Sequence, residues 1–408
     1  MSMKKVLCLV ALCSLVLPAC GKNYTRRLPD GQVALRKITD PKRLPDFRPA
    51  FGANNRADLE QGVDQSLNYL EHPSSEGYFP YLDVTHDRAK RSLEAFKQLV
   101  NSAASPDELH QRIVEEFDVY ESVGCDDKGT VLFTGYCTPE YEGSLEPTAE
   151  FTYPLYKTPP DLVKDPVKGT VLGRKGAGDT IVSPTYFTRA ELESSGRLKG
   201  LEIVYLKDRL EAYLVHVQGS AKLKLPDRTY FEVGYDATNG HEYKSLREML
   251  VTDRKLKTEK ASLIGIKEYF KQHPEDLDVY LPRNERFVFF AQTNGGPFGS
   301  LGVPVTTLCS VATDKTGTRE IYPRSCIAFI QTKIPTVTDS GKIGTEKYSG
   351  FALDQDTGGA IRSAGRADIY MGVGPVAERR AGHTLAEGKI YYIFVKNALL
   401  DAPTPQKM

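Results

Sequence analysis

Apolar residues first gather in an unbroken run over residues 6–17, behind Lys4 and Lys5. The run is too short to span a bilayer and has the flanks of a signal peptide. It closes on Leu17-Pro18-Ala19-Cys20-Gly21, where a small residue precedes a cysteine as in a lipobox, so Cys20 is expected to be diacylated and to become the mature N-terminus. An ordinary secretory signal cut nearby would leave Cys20 incidental, but cysteine is rare and stands where lipidation needs it. No aspartate follows Cys20 to signal inner-membrane retention, so in a diderm cell the outer membrane is favoured. Residues 21–48 lack apolar periodicity and are rich in Pro, Lys and Arg, which predicts a tether.

Periodicity then turns helical. Ala89, Leu93, Phe96, Leu99 and Val100 form one stripe, and Ser105-Pro106-Asp107-Glu108 predicts the next helix, with a capping box and proline at the first helical position. Strand signals dominate afterwards. Residues 130–136, 150–156, 201–206, 211–218 and 230–235 are short, β-branched or aromatic, and bounded by Gly, Pro and Asp. Thr188 caps a brief helix among them, residues 245–270 read as helical, and strand character returns at 287–290. The last third is Gly-rich strand and loop, ending in a strand over 389–396. The fold class is therefore mostly β (α+β).

Composition changes this picture little. The 408 residues are 40% hydrophobic and 26% charged, ordinary globular chemistry with room for two domains. Lys+Arg and Asp+Glu each total 53, so no bulk field attracts nucleic acid. Cys125, Cys137, Cys309 and Cys326 remain beyond the leader, and an even set in an exported chain favours disulfides. Cys125 and Cys137 flank an expected hairpin turning at Asp126-Asp127-Lys128-Gly129, and Cys309 and Cys326 flank another loop. Local pairing within each couple is the expectation, with free buried thiols the alternative. No CxxC, HExxH or HxxxH occurs, so a zinc site is not expected.

The glycine-rich stretches 173–178 and 295–302 contain neither a GxGxxG after a strand nor a phosphate-binding Lys-Ser/Thr, so no nucleotide cofactor is expected. Ser220, after Gly219, reads as a turn serine, since no G-x-S-x-G elbow or adjacent base accompanies it. The strongest constellation is Asp354-Gln355-Asp356-Thr357-Gly358-Gly359 followed by Gly365-Arg366-Ala367-Asp368-Ile369-Tyr370. Two aspartates flank a glycine-rich turn, where backbone can approach a ligand closely. Asp354, Asp356 and Asp368 are also hard oxygen ligands, but the spacing is not that of an EF-hand loop, so calcium ranks second.

This stretch resembles the C-terminal three-aspartate domain of the membrane-bound lytic murein transglycosylase A family. Phe133-Thr134-Gly135-Tyr136-Cys137-Thr138-Pro139 resembles the family's FTGYYTP strand with Cys137 in place of its second tyrosine. Tyr153-Pro154-Leu155-Tyr156, Val217-Gln218-Gly219-Ser220, Asn239-Gly240-His241 with Tyr243-Lys244-Ser245-Leu246, and Ser310-Val311-Ala312-Thr313-Asp314 match further motifs in the family's order, from about Ser66 to Lys396. The resemblance implies a double-psi β-barrel over residues 49–145 and 286–400, a smaller β-domain over 146–285 inserted into it, and a deep groove between them. It implies cleavage of the β-1,4 bond between N-acetylmuramic acid and N-acetylglucosamine without water, a lyase reaction leaving a 1,6-anhydro end. Asp368 matches the catalytic position, and Asp356 and Asp314 the supporting ones. Thr134, Gly135, Tyr136, Gln218, Gly219 and Ser220 would line the groove. The implied partners are peptidoglycan strands and the membrane, with recruitment to a cell-wall synthesis or hydrolysis complex left open.

Two departures stand out. Asp354 adds a carboxylate two positions from Asp356, where strand alternation would place both on one face, and residues 314–334 differ from the family's short loop. Two rival readings remain: a non-catalytic peptidoglycan-binding lipoprotein, and a muramidase-type hydrolase using a second carboxylate.

Overall fold

The computed structural model describes residues 22–400, except 167–169, 179, 316–320 and 339. The leader, with Cys20, lies outside the described residues. Three helices open the chain, α1 (Arg56–Glu71), α2 (His86–Ser102) and α3 (Pro106–Glu116), each started by a side chain that accepts from free N-terminal amides: Asn55, Thr85 and Ser105. The expected stripe on α2 is buried, with Phe96 packing edge-on against Phe351 at 4.8 Å. Before α3 the capping box is displaced by one residue: Glu108 accepts from the amide of Ala104, not from that of Ser105.

Strands β1 (Leu35–Lys37), β2 (Phe117–Ser122) and β3 (Val131–Thr138) precede an excursion into a second sheet. That sheet is built from β4 (Glu140–Ser144), β5 (Tyr153–Tyr156), β9 (Glu202–Leu206), β10 (Ser220–Lys224), β11 (Tyr230–Thr238) and β12 (Val288–Thr293), in the order β12-β11-β10-β4-β9-β5. A small sheet of β6 (Leu162–Lys164), β7 (Val171–Lys175) and β8 (Ile181–Val182) stands apart. Helices α4 (Arg189–Ser194), α5 (Arg209–Gln218), α6 (Leu246–Thr252) and α7 (Leu263–Gln272) belong to this half. The chain then returns through β13 (Ser310–Ala312), β14 (Ile327–Val337), β15 (Ile343–Asp356), β16 (Arg366–Val373), a helix at Gly374–His383, and β17 (Leu385–Val395). Pairing runs β17-β14-β15-β13-β16-β3 and closes through β17–β3, a six-stranded barrel with β2 and β1 added outside. Closure leaves those six strands without a free edge.

Several expectations are corrected. Residues 22–48 are not a free tether: β1 pairs antiparallel with β2, Ala34, Leu35 and Phe47 are buried, and Lys37 pairs with Asp118 at 2.7 Å. Its strand partner lies some eighty residues away, so no local pattern announces it. Residues 211–218 are not a strand but most of α5, capped by Asp208 and ended by Gly219 at φ 81°. Leu210 and residues 212–216 are all buried, which removes the one-sided stripe that marks a surface helix.

The turn at Asp126 forms, with its carboxylate accepting from the amides of Lys128 and Thr130. The strands on either side do not pair with each other as a hairpin, because both run antiparallel along β17, β2 against residues 391–395 and β3 against residues 385–388. Neither expected disulfide is present: all four cysteines are free and buried. Cys137 sits near the far end of β3, roughly 20 Å of extended strand from the turn that holds Cys125. The carbonyls of Cys309 and Cys326 accept from adjacent amides of β15, those of Leu353 and Asp354, placing the two cysteines on opposite sides of that strand. Two strand spacings come to about 9.5 Å, too far for the Cα separation of a disulfide. The expected loop at 314–334 gives way to strand from Ile327 onward.

Candidate active site

Strand register builds the site. Ala312 on β13 stands opposite both Asp356 on β15 and Asp368 on β16, and Asp368 stands opposite Thr134 on β3. Asp356, Ala312, Asp368 and Thr134 therefore form one row across four strands. The alanine leaves room between the two carboxyl groups. None of this is visible in sequence, because the strands that meet are separated by loops of very different length.

Asp354 does not share the face of Asp356. The register between β13 and β15 shifts there, with Val311 opposite Asp354 and Ala312 opposite Asp356. Adjacent residues of a strand face opposite ways, so the irregularity turns the two aspartates apart. Asp354 is fully buried, pairing with Lys315 at 2.7 Å and accepting from Thr313 at 2.7 Å and Tyr392 at 2.6 Å. Asp356 instead accepts from the backbone amides of Ser300 at 2.7 Å and Thr357 at 2.8 Å. Asp314 accepts from the amide of Ser363, tying down the loop that leads to β16. Asp354, Asp356 and Asp368 thus do not converge into a shared oxygen cage.

Asp368 is different in kind. Burial pushes its carboxyl up to about 6, helped by the nearby Asp356 and opposed by Arg366 and Thr134. Its Oδ1 is buried and has no hydrogen-bond partner among the described residues. Burial raises Asp356 as well, against the two amides that favour its charged form. Tyr136, whose ring lies 5.1 Å from that of Tyr370, points its buried hydroxyl at the same region, close enough to lower Asp356 without making a hydrogen bond of ordinary geometry. Arg366 Nη2 donates to Thr134 Oγ1 at 3.2 Å, which holds the far end of the row.

The second domain reaches this row through the end of α5. Gln218 is the last helical residue, and its side-chain oxygen accepts from the amide of Cys137 at 3.1 Å, leaving its NH2 group to donate elsewhere. Gly219 takes the left-handed cap, so that Ser220 can begin β10 at once. Ser220 Oγ meets Thr138 Oγ1 at 3.0 Å, and Thr138 meets Tyr370 Oη at 2.9 Å. These contacts draw Gln218 and Ser220 to the end of β3, three and four residues beyond Thr134. Gly135 packs on the opposite side, where an added Cβ would fall 2.9 Å from the backbone of Ala381. Gly135 therefore serves helix packing and does not face the row.

Sequence reasoning missed Ser300, Tyr370, Arg286, Lys315 and the supporting role of Arg366. Only Arg366 carried a signal, being two residues before Asp368. A separate cleft lined by Glu140, Tyr141, Glu142, Lys207, Asp208, Glu211 and Lys224 shares no residue with the row. Glu211 there is pushed up to about 7 by burial and by Asp208. Lys207 bridges Glu142 at 2.6 Å and Glu150 at 2.7 Å, so this cleft is a charge-compensated surface. The Asp368 row, with its unpartnered buried oxygen, is the better candidate for chemistry.

The model of the MltA specific insert domain matches residues 132–291, and that of the 3D domain matches residues 309–394. Membrane-bound lytic murein transglycosylase A of Escherichia coli strain K12 is 28% identical over 382 residues, 93% of this chain and 92% of the relative. The protein of the same name from Vibrio cholerae is 29% identical over 283 residues, covering 69% of this chain and 70% of its own. A membrane-bound lytic murein transglycosylase from Agrobacterium tumefaciens superposes with a TM-score of 0.71 at 25% identity, covering 90% of this chain and 99% of its own. Escherichia coli MltA with bound chitohexaose shares the fold, with a TM-score of 0.64 at 22% identity over 91% of this chain and 99% of that structure. With both domain models matched in order and the Escherichia coli relative aligned over 93% of the chain, this protein belongs to the membrane-bound lytic murein transglycosylase A family.

Proposed function

We propose that this protein cleaves the β-1,4 bond between N-acetylmuramic acid and N-acetylglucosamine in peptidoglycan without water, leaving 1,6-anhydro ends, with Asp368 as the sole acid and base. The single observation that carries the reading is the contrast among the aspartates. Asp354 is spent on Lys315, Thr313 and Tyr392, Asp356 on two amides, and Asp314 on Ser363, while among the described residues Asp368 alone combines a carboxyl raised to about 6 with a buried oxygen that has neither a hydrogen-bond partner nor an ion pair.

A carboxyl raised toward neutrality starts the reaction protonated and gives its proton to the glycosidic oxygen as the bond breaks. Positive charge develops on the muramic acid ring as the N-acetylglucosamine departs with the donated proton. The ring's own C6 hydroxyl attacks the anomeric carbon, and the same carboxylate takes the hydroxyl proton. One group suffices because the nucleophile belongs to the substrate. Digestion of purified peptidoglycan tests this by mass: anhydro ends are lighter than hydrolysed ends by one water. Hydrolysed ends would instead favour a muramidase, and binding with no cutting a glycan-binding lipoprotein.

The relatives named above are membrane-bound, and among the described residues no helix is long and apolar enough to cross a membrane. Diacylation of Cys20, and seating at the periplasmic face of the outer membrane, would account for attachment. Cys20→Ser is expected to release the protein from the membrane fraction or leave its leader uncleaved. Unchanged fractionation with a normally processed N-terminus would exclude the anchor.

A further inference from the structure

Two arginines beside the row, Arg286 and Arg362, are left unused by the chemistry proposed for Asp368. Arg286, just before β12, lies against Gly359 of the turn that follows Asp356, where an added Cβ would come within 3.3 Å of its Nε and 3.0 Å of Tyr243 Cβ. Gly359 is what lets the second domain bring Arg286 and Tyr243 so close to the barrel. Arg286 Nη1 donates to the carbonyl of His241 at 3.4 Å, and among the described residues no carboxylate pairs with it. Burial, with Arg362 nearby, pulls its pKa below the ordinary arginine value.

Arg362 donates to the carbonyls of Gly358 at 3.2 Å and Ile361 at 3.3 Å, and reaches Asp314 only at 3.9 Å. Arg366 keeps a buried Nε without a partner. Tyr235, 37% exposed, is close enough to feel the charges of both Arg286 and Asp356. Arg286 is a largely buried cation with no carboxylate partner among the described residues, which is costly, whereas Arg362 is partly exposed with Asp314 at 3.9 Å; a planar guanidinium matches a carboxylate in two-point fashion. The arrangement lacks an anion that the protein itself does not supply.

We propose that Arg286 and Arg362 form a carboxylate-binding subsite next to Asp356 that holds an anionic group of the glycan while Asp368 cuts it. The inference rests on the function proposed above. Peptidoglycan offers carboxylates from two sources: the lactyl group of muramic acid once its peptide is removed, and the peptide stem itself.

The test measures binding in the Asp368→Asn background, so that it reads the subsite whether or not the parent cuts. Three ligands are compared: stem-bearing glycan fragments, the same strands stripped of stems by an amidase, and chitohexaose, which has no carboxylate. Adding Arg286→Gln is expected to weaken binding of a carboxylate-bearing ligand by about tenfold or more and leave chitohexaose unchanged. Loss on the stem-bearing ligand alone assigns the stem carboxylates, and loss on stripped strands alone assigns the lactyl group. Arg286→Lys should recover part of the binding at low salt and lose it at high salt. Equal loss on all three ligands would make Arg286 structural, and no loss on either charged ligand would abolish the subsite. If the parent itself releases no anhydro product, the proposed reaction falls while these binding results still judge the subsite.

Discussion

Asp368→Asn is expected to lower release of anhydro-muropeptides by about 10²–10⁴-fold or more, the usual contribution of general acid–base catalysis. The amide keeps the size of the carboxyl but can neither give nor take the proton. Chitohexaose binding should persist, since Gln218 and Tyr136 are untouched. The fold should not weaken either. The folded-state pKa of Asp368 is raised to about 6 from 3.8, so its contribution to stability is present in acid and lost as pH rises through 6. Removing the charge therefore leaves the variant at least as stable as the parent at pH 8 in a thermal melt. In the parent, release should fall as pH rises through about 6, where the acid form disappears. Asp356 raises Asp368, so Asp356→Asn should move that limb toward lower pH with a smaller loss of maximal rate. Near-parental release by Asp368→Asn would mean that another carboxylate does the work.

The second large effect is on stability. Lys315→Met is expected to cost about 3–5 kcal/mol, because it strands Asp354 as a buried carboxylate without its counter-charge. Both side chains of the pair are essentially inaccessible, at 1% and 0%. Burial already raises Asp354 while Lys315 lowers it, so loss of the lysine raises it further. A raised carboxyl stabilises only below its pKa, so the deficit of Lys315→Met should be larger at pH 8 than at pH 5. Adding Asp354→Asn should restore part of the loss, since the amide can still meet Thr313 and Tyr392. Urea unfolding of the single and double variants at both pH values provides the measurement. A single variant as stable as the parent at pH 8 would show that the ion pair holds nothing together. Because Asp354 and Asp356 lie on the same strand, some loss of activity should accompany the loss of stability.

What the sequence by itself determined about this protein is its local grammar and its motifs. The stripe of α2, the caps at Ser105 and Thr188, and the strands ending in Thr138, Leu206 and Val395 follow from short-range preferences that a few neighbouring residues express. The motif around Asp368 and the order of the others were equally legible, because each is contiguous. Tertiary structure decided the rest, wherever the deciding contact is distant. β1 is a strand because β2 offers it an edge, α5 is a helix although it is buried nearly all round, and the cysteines stay apart because a strand lies between one pair and a strand's length between the other. The register irregularity beside Gln355 sends Asp354 to Lys315 and Asp356 to the row, a choice that residue spacing alone assigns the other way. The acidity of Asp368 is likewise collective: it arises from burial by four strands, one neighbouring carboxyl and one arginine, none of which is more than a letter until the barrel closes.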